Sequence, residues 1–348
     1  MTDTLTTPNA LTRLGWTDTG ADARHRADTT TLARVVVHHG TVCDVLRPET
    51  DGTLTAHTAP ITPALPVTPV AGDWVELGAD GRIHAVAPRR AVLTRSGVGH
   101  GRQTLAANID TVLVVVPLVG GLNAAMVERL SVMAWDSGAQ PVLVLTKSDT
   151  TDDAGAADTE TAELLSPGVP VIPVSVLTGD GLNTLRPHLG PGTTAVMLGP
   201  SGAGKTSLLN ALEGTTEAVA AVGRSGGRHT TTTRRLHLLT SGGVLLDIPG
   251  IRSLEVAAGP EAVDDVFTDI AALAAHCRYG DCGHDGDGGC AVTEAARTGA
   301  LSPDRLATWR KLQGEIAYRR RREDPAEMAD IRRQWKAVSK QARRNGRR

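Results

Sequence analysis

The 348 residues are 41% hydrophobic and carry a net charge of −2, enough chain for two or three domains that each bury a core. Aromatic side chains make up only 2%, so the cores must be built from Val, Leu, Ile and Ala. No apolar run approaches the ~18 residues of a membrane span, and the opening MTDTLTTPNALTRLGW has neither the basic start nor the apolar stretch of a signal peptide. A cytoplasmic chain with no membrane contact is the expectation.

Residues 1–30, polar and rich in Thr and Asp, read as a loose arm. Over 31–97 come short β-like runs, ARVVVHHG, TVCDVLRP, GDWVELG and GRIHAVAP, split by turn signals and without helical period. They predict a small antiparallel barrel, with the Pro-rich stretch 60–69 as a loop inside it. Cys43 and Trp74 belong to its core. Over 98–256 the texture changes to buried strands (IDTVLVVVPL, PVLVLT, VPVIPVS, TTAVMLG) alternating with helices near 123–136, 158–165 and 181–188. That alternation predicts an α/β domain with a mostly parallel sheet. The pair RRLHLLT and GGVLLDIPG adds two strands. Residues 257–348 read as helical and cysteine-bearing, with a helix over 305–318, the run RRRR (319–322) and a second helix near 326–344. In that second helix Met328, Ile331, Trp335 and Val338 form an apolar stripe.

Charge is unevenly placed. Residues 319–348 hold 12 Lys/Arg against 4 Asp/Glu, while the remainder holds 24 against 34. A basic tail on an acidic body either presents a solvated face or meets an anionic partner.

GPSGAGKT fits G-x-x-x-x-G-K-[ST] between a strand and a helix. The loop of Gly199, Pro200, Ser201, Gly202, Ala203 and Gly204 would wrap phosphates through the backbone N–H groups of its residues other than proline, and Lys205 would reach the β and γ positions. Thr206 would ligate Mg²⁺, with Ser207 completing the site. Downstream, DIPG ends an apolar strand: Asp247 is placed to hold Mg²⁺ and the Gly250 N–H to sense the γ-phosphate. TKSD supplies Thr146, Lys147, Ser148 and Asp149 after another strand. Its Asp can accept from guanine N1–H and the 2-amino group, donors that adenine lacks there. Lys147 would pack along the base, and Thr146 would tie this loop to the phosphate loop. SVLTG, also after a strand, offers backbone N–H groups at Ser175 and Val176 to guanine O6.

Base-reading motif before phosphate loop is the reverse of the usual order in guanine-nucleotide switches. Sites of this kind lie at the C-terminal ends of the strands. Joining the original ends and cutting elsewhere therefore preserves the site. With GDWVEL, AANIDTVLVVVPL, GRHTTTTRRLHLL, DIPGIRSL and CRYGDCGHDGDGGCAV in this order, residues 33–320 resemble the circularly permuted GTPases that mature the small ribosomal subunit, the RsgA (YjeQ) family. The resemblance implies an N-terminal OB-fold, a permuted GTPase domain and a C-terminal zinc domain. It also implies a chain that binds the 30S subunit and its 16S rRNA late in assembly, with hydrolysis stimulated by the subunit and driving release. The family's base motif usually starts with Asn, where this chain has Thr146.

In GRHTTTT, a Thr facing Mg²⁺ and the γ-phosphate is the usual sensor of a first switch. The resemblance selects Thr231, with Thr230 and Thr232 left open. Ile251 follows DIPG, where many GTPases place a water-orienting Gln, and Ile cannot orient water. His229 takes that part, supported by the resemblance. Three of the four cysteines lie within fourteen residues. Cys277-x₄-Cys282-x-His284-x₅-Cys290 suits one tetrahedral, structural Zn²⁺. His276 is the competing imidazole, and the family spacing favours His284. Asp281 and Asp285 read as turn residues. A monomer is expected. Two rivals remain: an RNA-binding scaffold gated by nucleotide with incidental turnover, and an ATP-dependent phosphotransferase.

Overall fold

In the computed structural model the described residues are 10–16, 32–96, 102–151, 154–213, 235–247, 258–286 and 288–323. The chain divides into two compact units, one drawn from 1–94 and 104–254, the other from 95–103 and 255–348.

The first unit opens with a strand-rich region. Strands β1 (Leu32–His38), β2 (Val42–Pro48), β3 (Leu54–Pro60), β4 (Trp74–Leu77) and β5 (Ile83–Val86) pair antiparallel in the order β3-β2-β1-β4-β5. A bridge from Ile61 to Ile83 joins the two ends of that sheet. The resulting ring, 1-2-3-5-4, is the five-stranded closure of an OB barrel. Val35, Val45, Val75 and Ile83 fill it. Cys43 is buried among them, as the sequence predicts. Burial first, then the charges of Asp73 and Asp44, push its thiol up to about 12. Strand β3 escaped the sequence reading because LTAHTAP buries only Ala59 fully, so it has little apolar alternation to detect.

The loose arm expected over 1–30 is corrected at residues 10–16. A short helix α1 (Ala10–Arg13) leads into Leu14 and Trp16, both buried. The Trp16 ring meets Trp74 edge-on at 4.9 Å between centroids. Beside them lies Arg34, fully buried. It donates to the carbonyls of Leu14 (3.1 Å) and Asn108 (3.3 Å) and to Thr194 Oγ1 (3.2 Å). Burial of two indoles outweighs the polar composition of the segment. Gly15 is required there: its φ is +85° and an added Cβ would lie 2.3 Å from Thr194 Oγ1.

A two-stranded ribbon, β6 (Val92–Ser96) and β7 (Arg102–Ala107), precedes the main sheet. That sheet holds β8 (Thr111–Pro117), β9 (Gln140–Thr146), β10 (Val171–Val174), β11 (Thr194–Leu198), β12 (Arg235–Leu238) and β13 (Val244–Asp247) in the order β10-β9-β8-β11-β13-β12. Every pairing is parallel except β12 with β13. Near-continuous Val/Leu strands are what a sheet covered on both faces demands. Helices α2 (Ala124–Asp136), α3 (Ala154–Leu165), α4 (Leu182–Leu185) and α5 (Lys205–Glu213) connect the strands. Asn123 caps α2 by accepting from the Met126 N–H at 3.0 Å.

The second unit contains α6 (Pro260–Val266), α7 (Thr268–Ala274), α8 (Ala291–Thr298) and α9 (Pro303–Glu323). Arg305 makes a two-pronged ion pair with Asp269 (2.7 and 2.9 Å) and donates to the Val266 carbonyl, fixing the start of α9 against α6 and α7. The expected stop after Tyr318 is corrected, because α9 continues through the RRRR run. Arginine is a good helix former, and Arg319 anchors the turn by donating to the Ala258 carbonyl at 2.7 Å. The helix expected near 326–344, with Met328, Ile331, Trp335 and Val338, lies outside the described residues. No described helix is long and apolar enough to cross a membrane.

Candidate nucleotide site and metal centre

Because β8, β9, β10, β11 and β13 run parallel, the loops that leave them share one edge of the sheet. Thr146 ends β9, and the phosphate loop follows β11. The two loops meet through one hydrogen bond: buried Thr146 Oγ1 donates to the Ala203 carbonyl at 2.6 Å, across 57 residues of chain. Gly199 begins the phosphate loop against the neighbouring strand. A Cβ there would lie 2.3 Å from the Val115 carbonyl oxygen, so only glycine fits.

Lys147 adopts a left-handed conformation (φ 61°, ψ 36°), and residues Ser148–Thr150 form a single 3₁₀ turn. Thr150 closes it, donating to the Lys147 carbonyl through its N–H (3.0 Å) and Oγ1 (2.7 Å). Asp149 is thereby held at the exposed tip. Its Oδ1 accepts from Ser175 Oγ at 2.6 Å. Ser175 is fully buried just after β10, and its Oγ accepts in turn from the Thr178 N–H at 3.2 Å. Val176 packs against the core of the sheet. The sequence reading assigned Ser175 only a backbone role; its hydroxyl contact was missed. A Ser or Thr directly after the strand next to the base-motif strand would have been the signal.

Lys205 opens α5, and its Nζ donates to the carbonyls of Gly199 (2.8 Å) and Pro200 (2.7 Å). Burial lowers its pKa, while the charge of Asp247, at the end of β13, works the other way. Lys205 and Asp247 therefore lie within electrostatic reach of each other. Ser201 and Gly202 are exposed at the loop tip, and Thr206 and Ser207 are exposed in the first turn of α5. A hydroxyl at Thr206 and a carboxylate at Asp247 are the hard oxygen donors that Mg²⁺ takes. At the far end of α5, Glu213 Oε1 pairs with His237 Nδ1 of β12 at 2.6 Å. His229, Thr231 with its neighbours Thr230 and Thr232, and Gly250 lie outside the described residues, as does Ile251.

In the second unit Cys277, Cys282, His284 and Cys290 bring their ligand atoms within 4.8 Å of one another. His284 Nδ1 lies 3.5 Å from Cys277 Sγ and 3.4 Å from Cys290 Sγ, and these two sulfurs are 4.0 Å apart. A tetrahedral Zn²⁺, at about 2.3 Å from sulfur and about 2.0–2.1 Å from nitrogen, calls for edges of roughly 3.8 Å and roughly 3.6 Å. The donor set and its spacing fit a metal ion. Burial raises the Cys290 thiol, but donors from Thr293 and His284 outweigh it and bring it down to about 6, toward the thiolate a metal needs. His284 sits at φ 57°, with its ring 5.4 Å from that of Trp309 and its carbonyl accepting from Arg310. Asp285 pairs with Arg310 at 3.5 Å, a role beside the cluster.

The family model described as RsgA GTPase matches residues 86–257. A small ribosomal subunit biogenesis GTPase RsgA from Streptomyces coelicolor is 42% identical over 94% of this chain and 92% of its own length. The chain belongs to the RsgA GTPase family. Like the other RsgA members it is a GTP-hydrolysing enzyme of ribosome biogenesis. The crystal structure of YjeQ from Thermotoga maritima superimposes with a TM-score of 0.62 at 26% identity, covering 82% of this chain and 98% of that one. YloQ, described as a circularly permuted GTPase, shares the fold at a TM-score of 0.59 and 24% identity, over 85% of this chain and 98% of its own. The RsgA fold thus accounts for the reversed motif order.

Proposed function

We propose that this RsgA-family enzyme binds GTP along the C-terminal edge of its parallel sheet and acts on the 30S subunit late in assembly. The observation that carries the reading is the Thr146–Ala203 hydrogen bond, which joins a base-reading loop to a phosphate loop. Asp149, steadied by Ser175, accepts guanine N1–H and the 2-amino group. Lys147 and Ser148 flank the base, and Ser175 and Val176 meet O6. Backbone N–H groups of the loop from Gly199 to Gly204, Pro200 excepted, take the phosphates, Lys205 neutralises the β and γ oxygens, and Ser207 completes the cradle. Thr206, Asp247 and Thr231 would hold Mg²⁺, which would supply positive charge against the charge that develops on the phosphates. His229 orients the attacking water toward the γ-phosphorus, and Gly250 senses the γ-phosphate. The water oxygen bonds to the γ-phosphorus as the bond to the bridging oxygen breaks; GDP keeps the bridging oxygen, and the group leaves as inorganic phosphate with the surplus proton passing to it or to solvent.

The domains in this reading are an N-terminal arm (1–30) docked through residues 10–16, an OB-fold (31–97), the permuted GTPase domain (98–256) and a zinc-binding domain (257–348). Cys277, Cys282, His284 and Cys290 would hold one structural Zn²⁺. The OB-fold and the zinc domain grip 16S rRNA, the basic C-terminal run adds phosphate contacts, and hydrolysis releases a cytoplasmic monomer from the particle. The test is GTP turnover by the purified protein with and without 30S subunits, at low and high salt. Strong stimulation that fades with salt is expected. Turnover unchanged by subunits at either salt contradicts the ribosome-activated reading and favours the scaffold alternative.

A further inference from the structure

Among the described residues the exposed aromatic side chains are Tyr279, 51% exposed, and Tyr318, 60% exposed, both in the second unit. Tyr279 lies in the metal loop, between the ligands Cys277 and Cys282. The loop is held from several directions. The Arg278 N–H donates to the Gly289 carbonyl at 3.0 Å, so the residues beside ligands Cys277 and Cys290 are themselves paired. The Cys282 N–H donates to the Tyr279 carbonyl at 3.3 Å, closing a turn around the tyrosine.

The Arg278 stem crosses Gly289 closely. A Cβ at Gly289 would lie 3.0 Å from Arg278 Cβ and 3.3 Å from its Cδ. So placed, the Arg278 guanidinium carbon sits 5.4 Å from the centre of the Tyr279 ring. An exposed ring backed by a guanidinium on a short, pinned turn loses little entropy on binding a flat partner. Arg278 is itself exposed beside the ring and supplies a positive charge that suits the phosphate of a stacked nucleotide.

We infer that Tyr279, with Arg278 stacked on it, is a platform for one unpaired RNA base. Single-stranded bases stack on aromatic rings and guanidinium planes regardless of sequence, whereas paired bases offer no face. The inference rests on the ribosomal-RNA reading above and assigns that reading a contact residue.

The test uses the full-length, metal-loaded protein and a fluorescent 12-nucleotide oligo(A), read by anisotropy over a salt series. Metal content and basal GTP turnover serve as folding controls. Tyr279→Ala is expected to weaken binding roughly 5- to 100-fold while leaving the slope of log K against log salt unchanged, since no charge is removed. Tyr279→Leu, which keeps bulk without a ring, should be nearly as weak, and Tyr279→Phe should bind within about twofold of the wild type. Wild-type affinity in Tyr279→Ala or in Tyr279→Leu overturns the platform, and so does a Tyr279→Phe as weak as Tyr279→Ala. Binding to purified 30S subunits is measured in parallel. A wild-type protein that ignores 30S but loses oligo(A) through Tyr279→Ala contradicts the ribosome reading and supports the platform.

Discussion

Ser175 Oγ donates to Asp149 Oδ1 at 2.6 Å, although the two residues are 26 positions apart and leave different strands. The bond fixes one oxygen of the carboxylate proposed to read the base, so that group is orientated before nucleotide arrives. A hydrogen bond to a charged group is worth about 1.5–3 kcal/mol. Ser175→Ala should therefore weaken GDP and GTP alike, by roughly 10-fold or more, with little change in turnover at saturation. Titration with a fluorescent GDP analogue reads the affinity. A fall in saturated turnover with unchanged affinity would count against a base-orienting role.

Thr146 is placed to transmit any strain between the base loop and the phosphate loop. Thr146→Val keeps the shape but removes the donor, leaving the Ala203 carbonyl without that partner at a cost of about 1–3 kcal/mol. Thermal unfolding and nucleotide affinity should both fall, and Thr146→Ser should restore both. If serine rescues neither, the γ-methyl packing matters and the hydroxyl does not.

The metal cluster should titrate in a definite sense. Ligation needs thiolates and a neutral imidazole, so protons compete with the metal. Metal release into a chromogenic chelator should increase as pH falls and be slowest at neutral pH and above. Cys290→Ser is expected to lower metal content and to melt the second unit first, because Cys290 also caps α8 by accepting from the Thr293 N–H at 3.4 Å. Hydrogen exchange over 277–298 follows that loss. Exchange in this stretch that is indifferent to chelation would rule out a structural metal.

The legibility of these features differs for physical reasons. The phosphate loop, the base motif and the Cys/His cluster are short-range patterns whose chemistry fixes residue type and spacing, so they read directly even in permuted order. Ser175 on Asp149 is a contact between distant segments, and no local pattern announces it. Strand β3 has mostly partly buried or exposed residues, so no apolar alternation marks it in the sequence. Residues 10–16 read as part of a loose arm because the segment is polar on average, yet Trp16 and Leu14 decide its fate by packing beside Trp74 and Arg34. The RRRR run, expected to link a helix ending at Tyr318 to a second one, continues the first, because arginines propagate a helix where their charges reach solvent or a carbonyl such as that of Ala258.

The central claim is that the permuted loops form a guanine site. Displacement of a fluorescent GDP analogue by GTP, ATP and XTP, from the wild type and from Asp149→Asn, tests it most directly. The wild type should release the analogue to GTP and hold it against ATP by on the order of 1,000-fold, since adenine leaves the Asp149 carboxylate unpaired. Asp149→Asn should lose GTP affinity by on the order of 100-fold and gain XTP, because its amide N–H can donate to the xanthine 2-oxo group. ATP displacing as well as GTP, or an Asp149→Asn protein with unchanged preference, would contradict the account.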